Sequence, residues 1–321
     1  MMLSAAGCAE SEGISASHHA ILGGEPASDP EFGSTVSLQA RHWQGGTQFL
    51  CSGVLIRDDI VLTAAHCLMD TEAFAFTDAF ADGRIGVATG VDALHPAKFY
   101  VASEMSVHPE FVPMSNGWFG NLLSENDIGI LHLAQAIPTS EAVPAPMLWD
   151  FAEMQRIAVD GTAVQTVGYG VDEHGNWGTR LVFTKAFESW CHIDDYSARS
   201  CELEMKDGVK RVFPAGTAVF GGRDGHCSGD SGGPVFAQVH GEKHVIGIVS
   251  FSDSECKTVH GFTTVPRYAD WIWRTADEMA IPPGGDRGCS ATPLRTGGGL
   301  FGVLLLLPCA FAIRRMRLRR S

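Results

Sequence analysis

A serine flanked by glycines is the residue of this chain best suited to nucleophilic chemistry. It lies in the segment Gly229-Asp230-Ser231-Gly232-Gly233-Pro234. Glycines on both sides allow a tight turn in which backbone N–H groups converge on one point, and a nucleophilic serine needs such donors to stabilise an oxyanion. The segment therefore indicates a serine nucleophile.

Two further segments carry residues that could activate this serine. The apolar run Val61-Leu62-Thr63-Ala64-Ala65 delivers His66 beside Cys67, and Asp127 stands at the start of a second apolar run, residues 128–131. A histidine can take the proton of a serine hydroxyl, and a carboxylate can orient that histidine. The order along the chain is His66, Asp127, Ser231.

Short runs of β-forming residues, broken by turn residues, surround these segments. They cover residues 34–38, 48–50, 53–56, 60–63, 128–133, 162–168, 232–239, 245–251 and 261–265. This pattern predicts an all-β fold of barrel or sandwich type. Helical periodicity is convincing only over residues 268–279. A proline-rich stretch, residues 137–146, indicates a strap joining two halves.

The composition excludes several classes of protein. The chain has 321 residues, of which 45% are hydrophobic and 19% charged, so it is neither disordered nor collagen-like. Its net charge is −14, even though five arginines lie among the last eight residues. Such a surface repels phosphates, and we therefore expect no nucleic acid partner.

Cysteine usage indicates an oxidising compartment. There are nine cysteines and no Cys-x-x-Cys, which argues against zinc ribbons and thioredoxin-like sites. Six lie in the body of the chain and fit three disulfides in an exported protein, whereas Cys8, Cys289 and Cys309 lie in the terminal segments.

No metal or cofactor is expected. Among the histidines outside the candidate site, only His240 and His244 have His-x-x-x-His spacing, and a pair alone does not complete a metal site. Four acidic residues with irregular spacing, Asp70, Glu72, Asp78 and Asp82, are interpreted as a solvated loop rather than as a calcium site.

The His66, Asp127 and Ser231 segments, in this order, resemble the trypsin/chymotrypsin-like serine endopeptidases. The similarity covers residues 21–281 and includes Ile21-Leu22-Gly23-Gly24, residues 49–56, Val107-His108-Pro109, Val167-Gly168-Tyr169-Gly170, Ile248-Val249-Ser250-Phe251 and Asp270-Trp271-Ile272. It implies an all-β fold with two packed six-stranded antiparallel β-barrels, residues 21–137 and 155–281, and a C-terminal helix.

The resemblance implies an exported serine endopeptidase that forms an acyl-enzyme intermediate with protein or peptide substrates. Ser231 would be the nucleophile, His66 the general base, and Asp127 the group that orients His66. The backbone N–H groups of Gly229 and Ser231 would form the oxyanion hole. The disulfides implied are Cys51–Cys67, Cys191–Cys201 and Cys227–Cys256.

The resemblance also implies zymogen activation, in which a new N-terminus at Ile21 pairs with Asp230. Residues 1–20 would then be the remnant of a signal peptide or propeptide. The residue before the cleavage point is Ala20 rather than lysine or arginine. An activating protease that accepts alanine, or removal of the signal peptide itself, therefore fits better than a trypsin-like activator.

In this family the residue six positions before the nucleophile sets much of the substrate preference. Here it is Gly225, so an aspartate selecting lysine or arginine is absent there. Asp224 is one position earlier, and a one-residue loop difference that brings it into the pocket stays an alternative. His226 either accepts an acidic side chain or points away. The expected pocket comprises Gly225, His226, Ser250, Phe251, Ser252 and Gly261, with residues 250–252 pairing with the substrate backbone.

The C-terminal region changes composition after residue 281. Residues 282–299 read as a flexible linker, and residues 300–321 as a short hydrophobic segment followed by an arginine-rich tail. The 14 apolar residues from 300 to 313 would span about 21 Å as a helix, short of a hydrocarbon core of roughly 30 Å. The region resembles surface-protein sorting tails of myxobacteria and related bacteria.

Several alternatives for the two ends and for the function stay open. The tail is either a membrane anchor or a sorting signal handled by surface machinery, with Cys289 as a candidate for processing or lipid attachment. Cys8 is a weaker lipidation candidate. Two rival functions are a binding module that has kept the fold without catalysis, and a surface protein whose tail matters more than its protease.

Overall fold

The computed structural model describes residues 21–41, 46–69, 83–96, 98–112, 124–192 and 199–279. Within these ranges the chain forms sixteen β-strands, two α-helices and two 3₁₀ turns. The strands are β1 Glu25–Pro26, β2 Thr35–Arg41, β3 Thr47–Arg57, β4 Ile60–Thr63, β5 Ile85–Thr89, β6 Lys98–Val107, β7 Gly129–Leu133, β8 Val164–Gly168, β9 Leu181–Lys185, β10 Ser189–Trp190, β11 Ser200–Glu204, β12 Lys210–Pro214, β13 Thr217–Gly221, β14 Pro234–Val239, β15 Glu242–Ser252 and β16 Val259–Thr264. The helices are α1 Phe151–Val159 and α2 Ala269–Met279.

The first half of the chain forms a closed antiparallel barrel in the order β2-β3-β4-β7-β6-β5. Closure pairs the backbone groups of every strand on both sides, which leaves no exposed sheet edge. Val36, Val54, Leu62 and Ile130 are completely buried in its interior. The barrel therefore holds the ends of β4 and β7 in a fixed register.

The second half forms a sheet with the order β1-β9-β8-β14-β15-β16-β13-β10, beside the separate hairpin of β11 and β12. The expected all-β class is confirmed, with a closed six-stranded barrel, a second sheet system and a C-terminal helix. The second sheet has eight strands rather than six because the two-residue strands β1 and β10 extend its edges.

Helix α2 is confirmed, and it buries Ile272, Ala276 and Met279 along one face. Helix α1 was not predicted. Its N-terminus is capped by the Asp150 carboxylate, which accepts a hydrogen bond from the backbone N–H of Ala152 at 2.8 Å. It buries only Met154 and Ile157, so its apolar face is too short to give clear periodicity.

The proline-rich strap contacts both halves of the fold. The backbone N–H of Ala145 donates to the carbonyl of Leu55 in β3 at 2.9 Å, and the N–H of Val245 in β15 donates to the carbonyl of Pro146 at 2.8 Å. The strap is therefore hydrogen-bonded to the barrel on one side and to the second sheet on the other.

A buried arginine next to the second sheet forms hydrogen bonds with residues 27–35 of the chain. The Arg180 side chain is fully buried, and its guanidinium donates to the carbonyls of Ala27 at 3.0 Å and Thr35 at 3.4 Å and to the Asp29 carboxylate at 2.6 Å. A buried charge is tolerated only when such partners replace water. The sequence pattern did not single out this residue.

The structure contains the disulfides Cys51–Cys67, Cys191–Cys201 and Cys227–Cys256. Among the described helices, none combines the length and the apolar composition needed to traverse a bilayer. The predicted leader, acidic loop, linker and tail, with Cys8, Cys289 and Cys309, lie outside the described residues.

Replacing Arg180 by methionine removes three hydrogen bonds while keeping an unbranched side chain. We expect the free energy of unfolding to fall by about 2–4 kcal/mol, because buried carbonyls lose their donor. Chemical denaturation measures this loss. The matched control is Arg199→Met, an arginine whose side chain is 67% exposed and whose replacement should change stability by no more than about 0.5 kcal/mol. Equal effects of the two substitutions would contradict the role assigned to Arg180.

Candidate active site

The first half of the fold brings a histidine and an aspartate together. His66 lies in a 3₁₀ turn, Ala65–Cys67, directly after β4, and Asp127 lies two residues before β7. Strands β4 and β7 are antiparallel neighbours, with Thr63 opposite Gly129. This pairing places the two side chains in contact, and His66 Nδ1 lies 2.7 Å from Asp127 Oδ2.

The Asp127 carboxylate is completely buried and accepts three hydrogen bonds. Besides His66 Nδ1, its donors are the backbone N–H of His66 at 2.9 Å and the hydroxyl of Ser250 at 2.6 Å. Burial disfavours a charged His66, but the charge of Asp127 and its hydrogen bond outweigh burial and raise the pKa of His66. The carboxylate thus fixes the ring and stabilises its protonated form.

The loop that carries Ser231 packs tightly on the first barrel. The backbone N–H of Ser52 in β3 donates to the Ser231 carbonyl at 2.8 Å, and the Ser52 hydroxyl donates to the Gly229 carbonyl at 3.0 Å. Gly232 has φ +80°, and a Cβ there would lie 2.0 Å from Thr63 Oγ1. Only glycine fits at this close approach.

Two backbone N–H groups of this loop have no protein acceptor. In the part of the chain that the structure describes, the amides of Gly229 and Ser231 donate to no carbonyl or side chain, whereas those of Asp230, Gly232 and Gly233 all do. Two neighbouring amides without acceptors are what an oxyanion hole requires.

Asp230 is buried beneath the same loop. Its carboxylate accepts hydrogen bonds from the backbone N–H groups of Gly170 and Cys227, each at 2.8 Å. A Cβ at Gly168 or Gly170 would lie within 3 Å of the carboxylate, so these glycines allow its close approach. Burial raises the pKa of Asp230 to about 7, although the two amide donors oppose the shift.

The segment that begins at Ile21 is inserted into the second half of the fold. Ile21 is completely buried and packs with Leu181 and Phe183. Leu22 forms a two-way backbone bridge with Gly225, with N···O distances of 3.0 and 3.1 Å. Leu181 lies opposite Gly168, whose Cα faces the Asp230 carboxylate. The backbone of Ile21 has φ +57°.

A cavity of 370 Å³ lies beside Ser231 and His66. The predicted pocket residues His226, Ser250, Phe251 and Ser252 line it, as do Cys227, Ser228 and Gly229. The structure therefore brings the nucleophile candidate, its base and four of the six predicted pocket residues to one cavity.

The other two predicted pocket residues, Gly225 and Gly261, do not line this cavity. The ring of His260 fills the space beside Gly225, where a Cβ would lie 2.7 Å from His260 Cδ2. The ring of Phe251 covers Gly261, where a Cβ would lie 2.2 Å from Phe251 Cζ. Both glycines thus serve to admit an aromatic ring rather than to form a pocket surface.

Asp224 does not enter the cavity. Its side chain is exposed and packs against Gly23, lining a separate hollow with Arg223 and Lys257. The alternative in which Asp224 reaches the pocket is therefore wrong for this structure. The bridge between Leu22 and Gly225 turns the preceding residue outward.

One of the residues lining the cavity, His226, packs against a second buried histidine, His260. His226 is buried, and its Nε2 lies 2.9 Å from the carbonyl oxygen of Phe251 on the opposite wall. Its ring meets the ring of His260 edge-on, with centroids 5.1 Å apart. Burial lowers the pKa of His226 to about 3, and the nearby His260 acts in the same direction. Burial likewise lowers the pKa of His260.

A third buried aspartate shapes the wall that follows Ser252. The Asp253 carboxylate accepts hydrogen bonds from the backbone N–H groups of residues 255, 257, 258 and 259, at 2.7 to 3.2 Å. Burial alone would raise the pKa of Asp253, but these donors lower it to about 2. With the Cys227–Cys256 disulfide, Asp253 fixes this loop against the opposite wall.

Sequence reasoning missed three contributors to the site. Ser250 was assigned to the pocket wall and not to Asp127, whereas His260 and Asp253 were not singled out at all. Among the described residues, one group has metal-ligand spacing, and it consists of Cys51, His66 and Cys67. Its two sulfur atoms are joined in a disulfide, so it offers no thiolate ligand.

Replacing Asp127 by asparagine should lower the pKa of His66, because the charge that stabilises the imidazolium is removed. Titration of the histidine ring signals by NMR measures the pKa. The matched control is Asp59→Asn, since Asp59 contacts a different histidine, His132, at 3.2 Å on the outside of the barrel. If both variants leave the pKa of His66 unchanged, the electrostatic coupling described here is wrong.

Comparison with known proteins places this geometry in a family. A family model described as Trypsin matches residues 21–272. Chymotrypsin-like elastase family member 1 of Homo sapiens is 28% identical, over 78% of this chain and 90% of that protein. A trypsin of Phaedon cochleariae is 29% identical, over 78% of this chain and 86% of its own length. A CLIP domain-containing serine protease B4 of Anopheles gambiae is 26% identical, over 78% and 69%. The chain belongs to the trypsin family.

Proposed function

We propose that this protein is an exported serine endopeptidase that hydrolyses peptide bonds of proteins through Ser231, His66 and Asp127. One arrangement carries the proposal. His66, whose ring contacts the buried Asp127, lines the same cavity as Ser231, beside two backbone amides without acceptors. Family membership and the serine proteases among the relatives support the same activity.

In the proposed reaction, Ser231 Oγ attacks the carbonyl carbon of the scissile bond while His66 accepts the hydroxyl proton. His66 then gives that proton to the departing amine, the C–N bond breaks, and an acyl-enzyme forms. A water molecule, deprotonated by His66 in turn, releases the acid product. The raised pKa of His66 suits a group that must hold a proton between the two transfers.

Two backbone features would hold the substrate during these steps. The free amides of Gly229 and Ser231 are placed to stabilise negative charge on the attacked oxygen. Strand β14 pairs with β15 only as far as Ile248, which leaves one side of residues 250–252 open for an extended peptide. Neither feature reads the sequence of the substrate.

We further propose that the protein is made as a zymogen activated between Ala20 and Ile21. The buried Asp230 carboxylate has two amide donors, and no cationic side chain of the described residues forms an ion pair with it. A free ammonium at Ile21 would supply the missing charge, since Ile21 packs on Leu181 of β9, which pairs with Gly168 of β8, and Gly168 lies against the Asp230 carboxylate. Such a pair would order the loop of Ser231. The partner this requires is an activating protease that accepts alanine, unless removal of the signal peptide itself makes the cut.

The three disulfides support export to an oxidising compartment. The proposal for the C-terminal tail is that it anchors the enzyme at the cell surface or is handled there by sorting machinery. The arginine cluster after an apolar run favours an orientation with the protease domain outside.

Substitution of Ser231 by alanine should abolish peptidase activity. We expect kcat/KM for a mixed peptide library to fall by at least about a thousandfold, because the nucleophile is lost. The protein is the full chain in which an enteropeptidase sequence replaces residues 16–20, cut to expose Ile21. The control is Ser103→Ala, a serine on the outside of the barrel beside His132. Failure of a fluorophosphonate to label Ser231 in the cut wild-type protein would refute the proposed function.

The buried carboxylate of Asp230 should make the uncut chain less stable as the pH rises. Because the pKa of Asp230 is about 7 in the folded state and its ordinary value is 3.8, the folded chain holds the proton more tightly than the unfolded chain does. The stabilisation is complete below about pH 4 and is lost as the pH rises through about 7. We therefore expect the melting temperature to fall between pH 5 and 8 more steeply in the uncut chain than after cleavage.

The matched comparison for this effect is Asp230→Asn, which removes the titrating group and should flatten the difference between cut and uncut chains. It should also abolish the gain of activity on cleavage. Equal pH dependence in the wild type and in Asp230→Asn would show that this carboxylate does not control the transition.

A further inference from the structure

We propose that the His226 ring closes the deep end of the substrate pocket, so that the enzyme cleaves after alanine and other small residues, the Ala20–Ile21 bond of its own uncut chain included. This inference rests on the proposed function, because it names the substrates of the same site. It concerns the side chain just before the scissile bond. A second copy of the chain, already cut, would then be the activating protease.

The His226 ring spans the gap between two walls of the cavity. His226 belongs to the loop that precedes Ser231, and its Nε2 donates to the carbonyl oxygen of Phe251 in β15 at 2.9 Å. The backbone of Gly261 in β16 is a further hydrogen-bond partner of the ring. The ring therefore connects the loop of the nucleophile to two strands of the second sheet.

Aromatic side chains fill the space behind this ring. The His226 ring meets the rings of His260 and Phe220 edge-on, with centroids 5.1 and 6.2 Å apart. His260 and Phe220 are buried, and His260 occupies the space beside Gly225. None of these three residues lines the cavity, whereas His226 does. In this direction the cavity therefore ends at the His226 ring.

The packing holds the His226 ring in place. The residue is 1% exposed, and turning the ring outward would remove the donor from the Phe251 carbonyl. A buried carbonyl oxygen without a donor costs free energy, and a closely packed interior leaves the ring no second position. We therefore expect the ring to stay in place when a peptide binds.

Small, uncharged side chains surround the space that remains beside the nucleophile. The lining includes Ser228, Ser250 and Ser252 but no aspartate or glutamate, and Asp224 lines a separate hollow. Burial lowers the pKa of His226 to about 3, so its ring is neutral at pH 7. Residues of the first barrel also line the cavity, so only part of its 370 Å³ serves this side chain. A long or charged side chain finds neither room nor a counter-charge there, and a methyl group needs neither.

The chain carries a bond of this class at its own activation point, where Ala20 precedes Ile21. The alanine side chain is a single methyl group, which a pocket closed by His226 accepts. The chemistry is that of any other substrate. Ser231 attacks the Ala20 carbonyl, the amine of Ile21 leaves with the proton from His66, and water then releases Ala20 as a carboxylate.

The first experiment compares peptides that differ only in alanine, leucine, phenylalanine or lysine before the scissile bond, cleaved by the full chain cut at Ile21. We expect kcat/KM for alanine to exceed the values for phenylalanine and lysine by roughly a hundredfold, because a large side chain would have to displace closely packed rings.

Replacing His226 by alanine should open the deep end of the pocket. The ratio of kcat/KM for phenylalanine to that for alanine should rise by at least about tenfold. Labelling of Ser231 by a small fluorophosphonate shows that the variant is folded. If it does not label, His226→Val tests the same change while filling part of the buried space. The matched control is His95→Ala, whose side chain is 84% exposed in the wild type, and it should keep the wild-type ratio.

The second experiment uses the uncut full chain with Ser231→Ala as the substrate, because this variant cannot cut itself. A trace of cut wild-type enzyme should release Ile21 as a new N-terminus, which N-terminal sequencing detects. The same substrate carrying Ala20→Phe should be cut at least about tenfold more slowly. Cut enzyme that itself carries Ser231→Ala is the control, and it should produce no cleavage.

Two results would overturn the closure of the pocket: phenylalanine, leucine or lysine cleaved as fast as alanine, or a labelled His226 variant with the wild-type ratio. An uncut chain that stays intact, or that is cut equally fast with Ala20→Phe, would overturn the extension to the chain's own bond. In each case, continued cleavage that depends on Ser231 leaves the proposed function standing. Absence of both labelling and cleavage would instead refute the proposed function itself.

Discussion

Three buried aspartates, each satisfied by hydrogen-bond donors, hold the candidate site together. Asp127 fixes His66, Asp230 lies under the loop of Ser231, and Asp253 shapes the wall beyond Ser252. An ionised carboxylate without donors costs several kcal/mol in a protein interior. The backbone around each aspartate is therefore held in one geometry. The three carboxylates thereby position the remaining residues of the site.

The donors come from distant parts of the chain, which makes the site a property of the whole fold. Asp127 and His66 belong to the first barrel, yet the Ser250 hydroxyl that completes the set around Asp127 comes from β15 of the second sheet. The carbonyl oxygens of Gly229 and Ser231 in turn accept hydrogen bonds from the hydroxyl and the backbone N–H of Ser52 in β3. Loosening of one half would therefore disturb the chemistry of the other.

The sequence sufficed for features that local chemistry encodes. The Ser231 turn needs its glycines, and most predicted strands lie within a few residues of those observed, since short runs of β-forming residues between turn residues are visible locally. Roles created by distant pairing were not predictable: Ser250 meets a partner 123 positions away, and the ring of His260 occupies space that only the missing Cβ of Gly225 leaves open. Strand β6, with its mixed burial, and the short helix α1 lack a clear period.

The backbone of Ile21 carries a cost that proteolysis would erase. A β-branched residue at φ +57° is strained by roughly 1–3 kcal/mol. The angle φ exists only while a carbonyl carbon precedes the nitrogen, so cutting the chain before Ile21 deletes that torsion altogether. Release of this strain and the pairing of the new ammonium with a carboxylate would both lower the free energy of the cleaved form. Both effects would favour the cleaved chain, since re-forming the peptide bond would restore the strain at Ile21 and remove the charge of its ammonium.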